Sequence, residues 1–267
     1  MNILDKIVEN TIDRIKNEKK QISTLDLYRI IDENKESGIY GERPTFLDNL
    51  RKPDMSYICE VKKASPSKGI IACDFPYLDI AIEYEKAGAS AISCLTEPNW
   101  FMGSNKYLRE IAQKVRIPII KKDFTIDEYM ILQGKAYGAS AILLICAVLD
   151  DARLKSYLEM AHELGLHALI EAHDEYEVER ALKSGGQIIG VNNRNLKDFS
   201  VDMRNSISLR EKAPESAVFV SESGIKTSDD IKLLYDNKVD AVLIGETLMR
   251  SDDKKLALET LNGGPVK

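Results

Sequence analysis

An acid and a base two residues apart open the chemistry of this chain. Residues 57–71 read Tyr-Ile-Cys-Glu-Val-Lys-Lys-Ala-Ser-Pro-Ser-Lys-Gly-Ile-Ile, a run that begins as a buried strand and ends as a charged loop. Strand side chains alternate, so Glu60 and Lys62 share one face while Cys59, Val61 and Lys63 take the other. The Cys59 and Val61 side suits contact with helices. That turns the charged pair toward a strand-lined interior, where ionised groups are costly unless paired or used. Ser65, Pro66, Ser67, Lys68 and Gly69 follow, on a loop of the kind that holds a phosphate or carboxylate. A surface loop beside one structural ion pair accounts for this stretch equally well, so the elements around it must decide.

Those elements repeat. Eight short apolar, β-branched runs are separated by polar turns and amphipathic stretches: 57–61, 91–95, 118–121, 141–145, 167–170, 188–191, 217–220 and 241–244. Helix starts are predicted where Thr125 precedes Glu128, Asp174 precedes Glu177 and Thr227 precedes Asp230. Gly88, Gly138, Gly165 and Gly185 are placed to end helices in a left-handed turn. Before the first run, Ile3, Ile7, Val8, Ile12 and Ile15 recur at helical spacing, and further helical segments cover 25–33 and 46–50. The absence of hairpin signals predicts a parallel sheet buried on both sides. For 267 residues, the pattern favours an α/β fold, a closed (β/α)8 or TIM barrel, over an open doubly wound sheet. We expect one domain over residues 1–267, with residues 1–55 as a helical extension covering the barrel.

Composition narrows the classes of function. The net charge of −6, with no long basic run carrying interleaved aromatics, argues against nucleic acid as a partner. No span approaches the roughly 18 apolar residues a membrane helix needs, and the N-terminus lacks an apolar signal core, so a cytoplasmic protein without membrane contact is expected. Cys59, Cys73, Cys94 and Cys146 form no Cys-x-x-Cys pair and read as reduced thiols. His162, His167 and His173 lack the spacing of a metal-binding helix, so no metal is expected.

Barrel enzymes carry their sites at the C-terminal ends of the strands. Here the runs close on Glu60 and Lys62, on Lys121-Lys122-Asp123-Phe124, on Glu171, on Asn192-Asn193-Arg194, on Ser221-Glu222-Ser223-Gly224, and on Gly245-Glu246. Closure of the sheet would bring all six endings to one rim. Gly224 and Gly245 fall at the usual phosphate corner, where a backbone without Cβ atoms approaches an anion closely. Glu246 lies at that corner too, a phosphate-binding position only if its carboxylate turns away and its backbone N–H faces the ligand. Lys121 and Lys63 alternate to the opposite face and are expected to be solvated.

At this point the motifs resemble one family, indole-3-glycerol phosphate synthase. The resemblance rests on Glu60-Val-Lys-Lys-Ala-Ser-Pro-Ser-Lys-Gly69, Asn99-Trp-Phe-Met-Gly-Ser104, Lys122-Asp-Phe124, Ile188-Ile-Gly-Val-Asn-Asn-Arg194, Ser221-Glu-Ser-Gly224 and Leu243-Ile-Gly245, in the family's order. It implies a cofactor-free lyase of tryptophan biosynthesis acting on a small phosphosugar; we expect a monomer or weak homo-oligomer. The reaction converts 1-(2-carboxyphenylamino)-1-deoxyribulose 5-phosphate into indole-3-glycerol phosphate, carbon dioxide and water. By the same resemblance Lys122 is the acid at the sugar carbonyl, Lys62 holds the substrate carboxylate and later donates a proton, and Glu60 orients Lys62, with Lys121 and Lys63 as the alternate lysines. Glu171 stabilises the cationic intermediate and acts as base, and Asn192 binds a sugar hydroxyl. Phosphate falls to Ser65, Ser223, Gly224, Gly245 and Arg194. Pro66, Phe101, Phe124 and Leu196 form the apolar wall. Trp100, where a smaller aromatic is common, and Asn195, where aspartate is frequent, depart from the pattern.

Two other readings stay open. Phosphoribosylanthranilate isomerase would bind a related sugar phosphate, yet it lacks this pairing of lysines and glutamates. A silent barrel that only binds a ligand or partner should have lost some strand-end acids or bases, and none is missing.

Overall fold

The computed structural model describes residues 3–195 and 199–264. Three helices precede the first strand: α1 (Ile3–Gln21), α2 (Thr24–Ser37) and α3 (Phe46–Leu50). On α1 the buried stripe is Ile7, Thr11 and Ile15, one residue per turn; Ile12, which the spacing also suggested, is exposed. Ser23 and Asp26 form a reciprocal capping box at the start of α2, satisfying two otherwise orphaned N–H groups.

The next elements are β1 (Ser56–Val61), a hairpin of β2 (Ala64–Ser65) and β3 (Gly69–Ile70), α4 (Tyr77–Lys86), β4 (Ala91–Leu95) and α5 (Asn105–Lys114). Strand and helix then alternate through β5 (Ile119–Lys122), α6 (Glu128–Ala136), β6 (Ala141–Ile145), α7 (Asp151–Glu163), β7 (His167–Ala172) and α8 (Glu175–Lys183). The last elements are β8 (Ile188–Asn192), α9 (Arg204–Arg210), β9 (Val218–Glu222), α10 (Ser228–Asp236), β10 (Ala241–Ile244), α11 (Glu246–Met249) and α12 (Lys254–Leu261). The strands close in the order β1-β10-β9-β8-β7-β6-β5-β4, and every pair in the ring is parallel. This is a (β/α)8 TIM barrel.

Alternation along each strand splits the core in two. Cys59, Val61, Cys94, Ile119 and Ile170 face the surrounding helices. Ile58, Ile120, Leu143, Leu169, Val220 and Leu243 fill the interior, where Phe46, Leu47 and Leu50 of α3 join them. Ser56 donates to Leu50 O, so α3 plugs the end from which the strands start. At the other end Ile3, Leu4 and Ile7 of α1 border the open mouth.

Three expectations are corrected. The hairpin β2–β3 pairs Ala64 with Ile70 and Ser65 with Gly69, closed by a turn in which Lys68 N donates to Ser65 O, with Pro66 second in the turn and Gly69 at φ +64°. Asp127, not Thr125, caps α6 by accepting from Tyr129 N, while Thr125 is buried. Lys121 does leave the barrel interior, but it is only 1% exposed. Its ammonium sits 3.0 Å from Asp123 Oδ2. The same carboxylate accepts from Thr96 Oγ1 at 2.7 Å and pairs with Arg14 of α1 at 2.8 Å, so two cations and a hydroxyl share one buried anion. Burial works against that ionised carboxylate, yet Lys121 and Arg14 outweigh it and hold Asp123 far below the usual range.

Candidate active site

A cavity of ≈ 920 Å³ opens at the C-terminal ends of the strands. Glu60, Lys62, Lys122, Glu171, Asn192 and Ser223 border it. So do the residues expected around substrate: Ser65, Pro66, Phe101, Phe124, Arg194, Gly224, Gly245 and Glu246. Leu196 lies outside the described residues. Strands β5, β7, β8 and β9 run one or two residues past the apolar pattern, so Lys122, Glu171, Asn192 and Glu222 sit on rigid backbone and not in loops.

Lys122 Nζ is 2.6 Å from Glu222 Oε2 and 3.3 Å from Glu171 Oε2. Glu171 Oε1 in turn accepts from Asn192 Nδ2 at 3.4 Å. Asn192 Oδ1 accepts from Ser223 Oγ and from Arg194 N, both at 3.0 Å, which fixes the amide. On the facing side Lys62 and Glu60 form a close ion pair, and Ser93 Oγ donates to the free oxygen of Glu60 at 3.4 Å.

One ammonium cannot neutralise two buried carboxylates, and the pair divides accordingly. Burial raises both Glu171 and Glu222. For Glu171 the charges of Lys122 and His173 outweigh burial and hold the carboxyl below its ordinary value. For Glu222 burial wins, aided by the neighbouring charge of Glu171 and opposed by Lys122, and the carboxyl is pushed up to about 7. Burial alone would lower Lys122; Glu222, Glu171 and Glu60 reverse this and raise it. The site therefore holds one strong acid, one weak acid and a firmly charged lysine.

Glu222 is the site residue that reading the strand ends did not single out. Its signal was present in Ser-Glu-Ser-Gly, and a second one lies in Gly190. A Cβ on Gly190, midway along β8, would collide with Glu222 Oε1. Gly245 has a similar role, since its Cβ would strike the Glu60 carboxylate and the Lys62 ammonium, the latter at 2.6 Å. At Gly224 the backbone itself demands glycine, with φ at +92° and Val201 2.5 Å from where a Cβ would stand.

The corner of the cavity beside Gly224 and Gly245 is lined by cations despite Glu246. That carboxylate lies 3.1 Å from Arg250 Nε and 3.6 Å from Lys68 Nζ, and Arg194, Arg204 and Lys226 border the same cavity. Opposite, Phe101 and Phe124 face each other with ring centroids 6.0 Å apart and planes tilted by 40°. Phe101 is held by Glu97, a second residue that sequence reading passed over. The Glu97 carboxylate, 1% exposed, accepts from Asn99 N, Trp100 N and Phe101 N at 2.9, 2.7 and 3.0 Å. Among the described residues no group of three or more His, Cys, Asp or Glu side chains could hold a metal, and no described helix is long and apolar enough to cross a membrane.

The model of one protein family, described as indole-3-glycerol phosphate synthase, matches residues 4–261. An indole-3-glycerol phosphate synthase of Ruminiclostridium cellulolyticum is 50% identical over 262 residues, 98% of this chain and 99% of that one. Proteins of the same name are 51% identical in Lacticaseibacillus casei, covering 95% and 96% of the two chains, and 53% identical in Endomicrobium trichonymphae, covering 93% and 95%. Among solved structures, a 3-hexulose-6-phosphate synthase superposes with a TM-score of 0.64 at 13% identity, covering 78% of this chain and 99% of its own. A thiamine phosphate pyrophosphorylase from Pyrococcus furiosus gives 0.59 at 17% identity, over 82% and 96%. At those identities the likeness is one of fold.

Proposed function

The chain belongs to the indole-3-glycerol phosphate synthase family, and on that premise we propose how its cavity closes the indole ring. The reaction is that of a lyase in tryptophan biosynthesis, a ring closure with loss of carbon dioxide. Its substrate is 1-(2-carboxyphenylamino)-1-deoxyribulose 5-phosphate. The observation that carries the assignment of roles is Lys122 held between Glu171 and Glu222, across the mouth from the Glu60–Lys62 pair.

The aromatic carbon bearing the carboxylate is a weak nucleophile, and the sugar ketone is a poor target until its oxygen takes a proton. Lys122 donates that proton as the carbon–carbon bond forms. Positive charge then appears on the aniline nitrogen, where the ionised Glu171 stabilises it. The carbon–carboxylate bond breaks, carbon dioxide leaves, and the released electron pair restores the aromatic ring. Finally the new hydroxyl leaves as water with a proton from Lys62, while Glu171 removes a proton from the adjacent carbon to complete the indole. Glu222, a weak acid at 2.6 Å, returns a proton to Lys122.

Lys62 binds the carboxylate before it is lost, with Glu60 holding the ammonium in place. Asn192 meets a sugar hydroxyl. Ser65, Ser223, Arg194 and the bare backbone at Gly224 and Gly245 take the phosphate, and Phe101, Phe124 and Pro66 flank the anthranilate ring. These steps ask only for acids and bases, so the reading includes no cofactor. It also takes the protein as a cytoplasmic monomer or weak homo-oligomer, one barrel domain with residues 1–55 as its helical extension. Mixing purified protein with the substrate and following indole fluorescence tests the reading. Ligand binding without an indole product would overturn it in favour of a binding module.

A further inference from the structure

His173 directly follows β7 and borders the cavity only through its neighbour Glu171. Its ring joins two acids: Nδ1 is 3.0 Å from Glu177 Oε2, and Nε2 is 3.4 Å from Glu171 Oε1. The His173 backbone N–H also donates to Glu177 Oε2, at 2.8 Å. Glu177 is itself fixed in the first turn of α8, its N–H donating to the capping Asp174 at 2.8 Å. Asn205 Nδ2 of α9 donates to His173 O at 3.2 Å, so both the backbone and the ring of this residue are tied down.

We infer that His173 is a positioning residue, a cationic clamp between Glu177 and Glu171 that keeps the Glu171 carboxylate aimed, and ionised until it takes its proton in the last step. The inference rests on the base role given to Glu171 above. A neutral imidazole has one N–H and one lone pair. With a carboxylate at each nitrogen, the neutral ring would always point a lone pair at an anion. The imidazolium satisfies both ends. Nε2 has no well-aligned hydrogen-bond partner, so its tie to Glu171 is one of charge. Burial disfavours the cation, but the contacts with Glu171 and Glu177 outweigh it and raise the ring to about 10.

The clamp matters because of what Lys122 does. Glu171 is faced by Lys122 from β5, by Asn192 from β8, by Glu222 from β9 across Lys122, and by His173. His173 is faced by Glu171 and Glu177. When Lys122 gives up its proton, Glu171 loses one of its two cations at the moment it must stay charged. His173 does not take part in the transfer, so its charge remains.

Two measurements decide this. Nitrogen-15 NMR of the wild-type enzyme should show both His173 ring nitrogens protonated at pH 8; a neutral ring overturns the clamp whether or not the enzyme makes indole. His173→Gln keeps the size and a donor but no charge. Its kcat should fall roughly tenfold to a hundredfold, the loss expected when a reacting group is misplaced, with KM little changed. The acidic limb of its kcat–pH profile should move to higher pH, because Glu171 without its cation ionises less readily. A variant that is less stable yet keeps the wild-type kcat and acidic limb shows a merely structural histidine and overturns the inference. A charged His173 in an enzyme that forms no indole removes the reading of the site, and the clamp's role with it.

Discussion

Replacing Glu222 with glutamine removes one titrating proton from the cavity and almost preserves its shape. The residue is 2% exposed, with Oε2 on Lys122 and Oε1 in the hollow left by Gly190, without a hydrogen-bond partner. Its carboxyl is raised from an ordinary 4.5 to about 7. At about 1.4 kcal/mol per tenfold change in affinity, that is about 3 kcal/mol of extra proton binding in the folded state. The folded chain therefore holds this proton more tightly than the unfolded chain between those two values. Its contribution to stability is complete below 4.5 and is lost as pH rises through about 7. Glu222→Gln has no such dependence. From pH 5 to pH 8 the wild-type unfolding free energy should fall by up to about 3 kcal/mol relative to that of the variant, measured by urea denaturation at each pH. In the reaction a neutral Glu222 recharges Lys122, so wild-type turnover should decline above about 7. The variant should lose that limb and run about a hundredfold slower. Parallel stability curves, or a variant with wild-type rate and pH profile, would refute both the raised carboxyl and its part in proton return.

Three further outcomes follow from the same geometry. Lys122→Ala should abolish indole formation while substrate binding, followed by ligand fluorescence, weakens only modestly; near-normal turnover would remove Lys122 as the acid. Gly245→Ala meets no backbone strain at φ −116°, but its methyl displaces Lys62 and Glu60, so KM should rise roughly tenfold with about 1–3 kcal/mol lost from stability by overpacking; an unchanged KM would show that Lys62 does not hold the carboxylate. Asp123→Ala strands Lys121 and Arg14 and should cost about 3–5 kcal/mol in denaturant unfolding at neutral pH. Because the Asp123 carboxyl lies far below its ordinary 3.8, its stabilisation is present above 3.8 and lost in strong acid, where wild type and variant should converge.

Most of the barrel was visible in the sequence because parallel strands buried on both sides read as continuous apolar runs. The same rule hid their ends. Lys122, Asn192 and Glu222 are the last residues of their strands and Glu171 the last but one, yet charge and amide groups look like loop. The hairpin β2–β3 was missed because two residues per strand leave no alternation to count. At α6, Thr125 and Asp127 were both competent caps, and only burial of Thr125 under the folded chain decides between them.

The site divided along a different line. Alternation shows which face of a strand a side chain takes, and it placed Glu60 with Lys62 and turned Lys121 away from Lys122. It does not show what waits on that face. Lys121 read as solvated because Arg14, which shares Asp123 with it, lies more than a hundred residues away in the chain on a helix outside the barrel repeat. Glu222 was passed over for the same reason, since its weight depends on Lys122 and Glu171 from strands β5 and β7. In the closed ring Asn192 stands beside Glu222 and Gly190 beside Glu171. Glycine in a strand interior weakens the strand, and here that loss has a use. Gly190 leaves room for the Glu222 carboxylate, as Gly245 does for the Glu60–Lys62 pair. An alanine at either position would push an acid or a base off its partner, so both glycines belong to the acid–base arrangement as well as to the backbone.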